Sequence, residues 1–144
     1  MKIEEILLNK AKKLITISPK AEILQAVTCL AENNIGALPV VSKNDVLVGI
    51  VSERDIISCF SKSGGDVGKT VVADIMTRKV VTCNLDDDLS DVMGLMNEHA
   101  IRHIPVMEDG CAITIISSRD GMNALLAESV EHRQTLAAAY ELVR

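Results

Sequence analysis

The sequence states one block of residues twice. Leu38-Pro39-Val40-Val41, followed by Gly49-Ile50-Val51-Ser52-Glu53-Arg54-Asp55, returns as Ile104-Pro105-Val106-Met107, followed by Thr114-Ile115-Ile116-Ser117-Ser118-Arg119-Asp120. The two prolines lie 66 positions apart and the two aspartates 65. Upstream, Thr16 and Thr82 keep the 66-residue offset, as do Ile23 and Leu89. One residue is therefore lost between the proline and the serine, where a hairpin turn belongs and where a change of length is tolerated. A duplication with one short gap means two copies of one supersecondary unit. Any site carried by one copy has a counterpart in the other.

Residue patterning predicts the same elements in each copy. Residues 1–13 read as an amphipathic helix with Ile3, Ile6, Leu7 and Ala11 on one face. Residues 14–17 read as extended, and Ser18-Pro19 as a helix start, serine capping and proline in the first turn. Ile23, Ala26, Val27 and Leu30 follow at helical spacing, and Asn33-Asn34 closes that helix. Strands over 38–41 and 46–51 flank a turn at Lys43-Asn44-Asp45, and a helix over about 53–60 follows. In the second copy, 80–83 is extended, Asn84 is placed to cap, and Leu89, Val92, Met93 and Met96 form the stripe. Strands over 104–107 and 111–116 flank Asp109-Gly110, and a long helix covers 122–142. Leu126, Val130, Ala137 and Tyr140 share one of its sides, available to the body or to a second subunit. The expected units are an N-terminal helix (1–13), a first repeat (14–60), a linker (61–71), a second repeat (72–128) and a helical extension (129–144).

Composition narrows the function. The chain has 144 residues, 48% of them hydrophobic, with Phe60 and Tyr140 its only aromatics. The core is therefore aliphatic, and base-stacking platforms are nearly excluded. A net charge of −5 also argues against a duplex nucleic-acid binder. No segment reaches the roughly 18 consecutive apolar residues that span a bilayer, and residues 1–13 lack a signal-peptide core, so a cytoplasmic location is expected. Cys29, Cys59, Cys83 and Cys111 are far apart, which predicts unpaired thiols rather than a disulfide framework or a zinc site.

Ser52 and Asp55 stand where an apolar strand gives way to a helix. That junction presents free backbone N–H groups and the positive end of a helix dipole. A carboxylate there can accept from the vicinal hydroxyls of a ribose, a serine can reach sugar or phosphate, and Arg54 can clamp phosphate. Ser117, Arg119 and Asp120 repeat the set. Taken alone, each set reads more simply as a helix cap that needs no ligand. The doubled pattern, with Ile75-Met76-Thr77 ahead of the second copy and Ile101-Arg102-His103-Ile104-Pro105-Val106 within it, resembles the cystathionine-β-synthase (CBS) domain family. The resemblance covers about residues 1–128.

The resemblance implies an α/β fold of two β-α-β-β-α units related by a pseudo-twofold axis. Two clefts between them would bind adenosine-containing ligands: AMP, ADP, ATP, NAD(H) or S-adenosylmethionine. It assigns the ribose to Asp55 or Asp120, and sugar or phosphate to Ser52 or Ser117. The backbone around Ala37, Leu38 and Pro39, and around His103, Ile104 and Pro105, would meet adenine. Thr16 and Thr82 would line the same clefts. Thr114 stands where the first copy has Gly49, and Gly121 where it has Ile56, so the cleft built on Asp55 is favoured. The function implied is a stand-alone regulatory sensor, not an enzyme. It needs no cofactor beyond the nucleotide ligand, forms a homodimer and acts on a separate regulated protein. The alternative is a scaffold or interaction module with empty clefts.

Three decoys are set aside. Ser63-Gly64-Gly65-Asp66-Val67-Gly68-Lys69-Thr70 resembles a phosphate-binding loop, but a helix precedes it and no long helix follows. His99 and His103 are four apart, yet they fall on different elements. Asp86-Asp87-Asp88 opens a helix, where acidic charge offsets the dipole.

Overall fold

The computed structural model describes residues 1–8 and 13–143. In chain order the elements are α1 (Ile3–Leu7), α2 (Ile23–Asn33), β1 (Ala37–Val41), β2 (Leu47–Ser52), α3 (Glu53–Ser63), α4 (Val72–Ile75), β3 (Cys83–Asn84), α5 (Leu89–His99), β4 (His103–Glu108), β5 (Cys111–Ser117) and α6 (Ser118–Val143). The chain is an α/β protein of two matching halves. β1 and β2 form one antiparallel hairpin, and β4 and β5 the other. Both carry a bulge at the same place, after Val40 and after Val106. Val41 pairs with Leu47 and Met107 with Ala112, so the deleted residue does lie in the turn. Asp45 in the first turn, and Asp109 and Gly110 in the second, take the positive φ values that tight hairpins demand.

A third strand joins each hairpin in parallel. Cys83 pairs with Val106 in β4, and Ile17 with Val40 in β1, each partner displaced by 66 residues from its equivalent. In the first half this strand is a single bridge, held by the Ile17 N–H on Pro39 and the Val41 N–H on Ile17.

The cores are aliphatic, and each borrows from the other half's leading segment. Ile23, Leu38, Val40 and Val51 are fully buried together with Val72 of α4. Leu89, Ile104, Val106 and Ile116 are buried together with Ile3 of α1. Matched backbone bonds hold the two crossovers. Ile3 donates to Asp87 and Glu4 to Leu85, just as Val72 donates to Ala21 and Ala73 to Pro19. Burying Ile3 or Val72 contributes about 1.5–3 kcal/mol each. The crossover ahead of α5 also carries an ion pair, the Met1 amine on Asp88 at 3.1 Å. That contact raises the amine pKa. The Ser90 hydroxyl and then the amine lower that of Asp88.

Several boundaries differ from expectation. Ser18 does not cap α2; it accepts the Lys20 N–H in a turn, and the helix opens four residues later behind Glu22. The chain must first cross the hairpin at Ile17 before it can coil. Asn84 is in β3 and not a cap, its N–H closing on Asp87 at 2.8 Å, while Asp88 takes the N-cap position of α5. α3 continues past 60 to Ser63 and stops at Gly64 in left-handed geometry, so the phosphate-loop lookalike is a helix terminus. α6 starts at Ser118, not 122. Within the expected 1–13 helix, α1 spans only Ile3–Leu7; Ala11 lies outside the described residues.

α6 packs on α5, β5 and α1 only through its first turns. From Leu125 to Leu142 every side chain is exposed, Leu126, Val130, Ala137 and Tyr140 included. Among the described residues no helix is long and apolar enough to cross a membrane.

Candidate functional site

The two halves meet over a cavity of about 170 Å³. The first half supplies Gly36 and Ala37 at the start of β1, Ile50 on β2, and Ser52 to Asp55 at the β2–α3 junction. The connecting segment supplies Thr77, Lys79, Val80 and Val81. The second half closes it with Ala100 to His103, between α5 and β4.

Local chemistry fixes each wall. Ser52 and Asp55 form a capping box. The Ser52 N–H donates to Asp55 Oδ2 at 2.8 Å, the Ser52 hydroxyl donates to the same oxygen at 3.0 Å, and the Asp55 N–H donates back to Ser52 Oγ at 3.3 Å. All three bonds use Oδ2 or Oγ, so Asp55 Oδ1 carries no hydrogen bond from the described residues. The cap and the ligand reading thus share one carboxylate without competing for one oxygen. The Glu53 N–H is spent on the Gly36 carbonyl at 3.0 Å, which ties the helix start to β1.

The connecting segment is strapped to the outer edge of β2. Ile50 and Thr77 exchange both backbone bonds, at 3.0 and 2.9 Å. That approach needs Gly49: a Cβ there would sit 2.6 Å from Met76 Sδ and 3.0 Å from the Thr77 carbonyl. Across the cavity, Arg54 Nη1 reaches the Ala100 carbonyl at 3.5 Å, bridging the two halves. Gly36 makes room for His103, whose Cε1 would lie 2.9 Å from a Cβ at that position.

Of the residues singled out from sequence, Ala37, Ser52, Arg54, Asp55 and His103 line this cavity. Leu38, Pro39, Ile104 and Pro105 are buried, the two aliphatic side chains in the two cores. Thr16 and Thr82 are exposed and do not line it. Ser117 and Asp120 form the same capping box in the second half, at 2.9 and 3.0 Å, with Arg119 exposed beside them. The 66-residue offset sends the wall at Thr77 and Lys79–Val81 to positions 11 and 13–15, and position 11 lies outside the described residues.

Sequence reasoning passed over Lys79, Val80, Val81 and Arg102. Val80 and Val81 were within reach, since they immediately precede Thr82. Lys79 matches Lys13 at the 66-residue offset, a signal that was there to be used, whereas Arg102 faces Gly36 at that offset and carried none. Among the described residues no group of three or more His, Cys, Asp or Glu is placed to hold a metal.

Comparison with known proteins agrees with this architecture. The family model for the CBS domain matches residues 3–62 and again 72–127. The CBS domain-containing protein YhcV of Bacillus subtilis is 33% identical over 115 residues, which cover 79% of this chain and 81% of the relative. The mitochondrial CBSX3 of Arabidopsis thaliana is 35% identical over 120 residues, and the match covers 81% of this chain but only 58% of that longer protein. Among solved structures, the CBS-domain protein ATU1752 of Agrobacterium tumefaciens superposes with a TM-score of 0.83 at 30% identity, over 86% of this chain and 98% of its own. The CBS domain pair of protein MJ0100, solved with 5′-methylthioadenosine and S-adenosyl-L-methionine, gives 0.78 at 28% identity, over 90% and 98%.

Proposed function

The chain belongs to the CBS-domain family as a tandem pair, and from that premise we propose that it is a regulatory module binding an adenosine-containing ligand in the cavity between its repeats. One observation carries the reading: Asp55 lines a hollow walled by both halves and keeps one carboxylate oxygen free of its own cap. A ribose diol needs an acceptor of that kind. The aliphatic walls from Ala37, Ile50, Val80, Val81 and Ile101 suit an adenine ring in a chain almost without aromatics. The solved pair MJ0100, with its two adenosine compounds, supports the ligand class.

The module has no catalytic step of its own. A ligand in this cavity touches β1, α3, the connecting segment and the α5–β4 turn at once, so it favours one arrangement of the two halves. The exposed stretch of α6 is the surface through which that arrangement would be communicated. Helices in proteins draw most of their stability from packing an apolar face, and the exposed Leu126, Val130, Leu136 and Tyr140 of α6 suit the same helix of a second copy.

Asp55→Ala tests the ribose assignment. Loss of charge-assisted hydrogen bonds of roughly 1.5–3 kcal/mol weakens binding about 10- to 150-fold, measured by calorimetric titration with AMP and ATP. Unchanged affinity for every adenosine ligand that binds the parent protein removes Asp55 from the site. If no adenosine ligand raises the melting temperature of the parent protein, the binding reading itself fails.

A further inference from the structure

The cavity is positively charged in a protein that is not. The chain carries a net charge of −5, yet Arg54, Lys79 and Arg102 converge on this hollow against only Glu53 and Asp55. None of the three cations forms an ion pair with a described residue. Arg54 reaches only the Ala100 carbonyl, and Lys79 and Arg102 donate no hydrogen bond to any described residue.

Resting on the adenosine reading of this site, we propose that the cavity selects phosphate-bearing adenosine ligands over sulfur nucleosides, with Lys79 and Arg102 as the selecting residues. A phosphate offers several anionic acceptors to an ammonium and to a planar guanidinium fork. The thioether of 5′-methylthioadenosine offers neither charge nor a useful acceptor. S-adenosylmethionine offers one carboxylate but carries a sulfonium and an ammonium as well, so it brings a net positive charge to a lining of three cations and two carboxylates. This chain therefore parts from its relative MJ0100, which was solved with those two sulfur compounds.

The full chain is titrated calorimetrically with adenosine, AMP, ATP, 5′-methylthioadenosine and S-adenosylmethionine at low and physiological salt. AMP and ATP are expected to bind at least about 10-fold tighter than 5′-methylthioadenosine, with the gap narrowing as salt rises. In the double variant Lys79→Ala/Arg102→Ala, both side chains being exposed, the AMP to 5′-methylthioadenosine affinity ratio falls to within about 3-fold of unity. Sulfur nucleosides that bind as tightly as AMP overturn the selection while leaving the adenosine site standing. A ratio unmoved in the double variant overturns the assignment to these two residues. Failure of all five compounds, adenosine included, overturns the site as well.

Discussion

The two repeats keep the same backbone plan and fill it differently. In the first, Ile56 of α3 enters the core, and Val27 of α2 packs against the same cluster. In the second, the equivalent positions are Gly121 of α6 and Met93 of α5. A Cβ on Gly121 would lie 2.5 Å from Met93 Sδ, so the methionine occupies the volume that a side chain on α6 would take. A large residue on one helix has been traded for a large residue on its neighbour. Gly121 looks like a defect when read along the chain, since glycine inside a helix costs up to about 1 kcal/mol against alanine. Across the helix pair it is a fitted contact. Duplicated units diverge by such compensated exchanges because close-packed interiors conserve volume more strictly than identity.

The largest expected effect concerns the crossovers that make the repeats interdependent. Ile3 is fully buried in the second core although it lies in α1, ahead of the first repeat. Ile3→Ala is expected to cost about 2–5 kcal/mol in urea unfolding, as for a core residue. A loss under about 0.5 kcal/mol, the scale of a surface position, would mean that α1 is an appendage and that the two halves do not share cores in this crossed way.

The Ile56–Val27 and Gly121–Met93 exchange can be attacked directly. Gly121→Ile forces a branched side chain onto Met93 and is expected to destabilise by about 1–3 kcal/mol. Adding Met93→Val rebuilds the first repeat's arrangement in the second. The pair should then show a favourable coupling of about 0.5–3 kcal/mol in a double-mutant cycle. Strict additivity would show that the methionine does not fill the space above the glycine.

These two tests also mark what could be read in advance. The hairpins were legible to within a residue or so, because turn residues and apolar-Pro-Val runs act locally. The Ser52–Asp55 capping box was legible for the same reason. The start of α2 was not: Ser18-Pro19 is a good helix signal, but the neighbouring Ile17 is drafted into the β1 hairpin, and the chain needs four more residues to turn. The crossovers were illegible because they pair residues far apart in sequence, Ile3 with Asp87 and Val72 with Ala21, and no periodicity within either segment names its partner. The cavity was half legible. Asp55 and Ser52 announce themselves by repetition at a strand–helix junction; Lys79 also repeats, as Lys13, but it and Arg102 matter through position, one in the strap that Gly49 admits against β2 and one in the turn ahead of β4.

The smallest effect separates β3 from its counterpart at Ile17. Cys83 takes that place in the second repeat and is buried, at 1% exposure. Burial, with the nearby Asp87 carboxylate adding to it, pushes the thiol up to about 11. The unfolded thiol ionises near 9, so the folded state holds its proton longer, and the stabilisation is complete below about pH 9 and lost as pH rises towards 11. Stability therefore falls between about pH 8 and 9.5. Cys83→Val, which gives β3 an aliphatic residue as Ile17 gives the first repeat, should flatten that part of the stability profile relative to the parent protein. Thiol labelling supplies a second reading at pH 8. Cys111, exposed on β5, reacts first, and Cys83 reacts only at the rate at which the second core opens. A Cys83 that labels as fast as Cys111 would mean that the second core is open at β3, and the comparison between the two parallel strands would lose its physical basis.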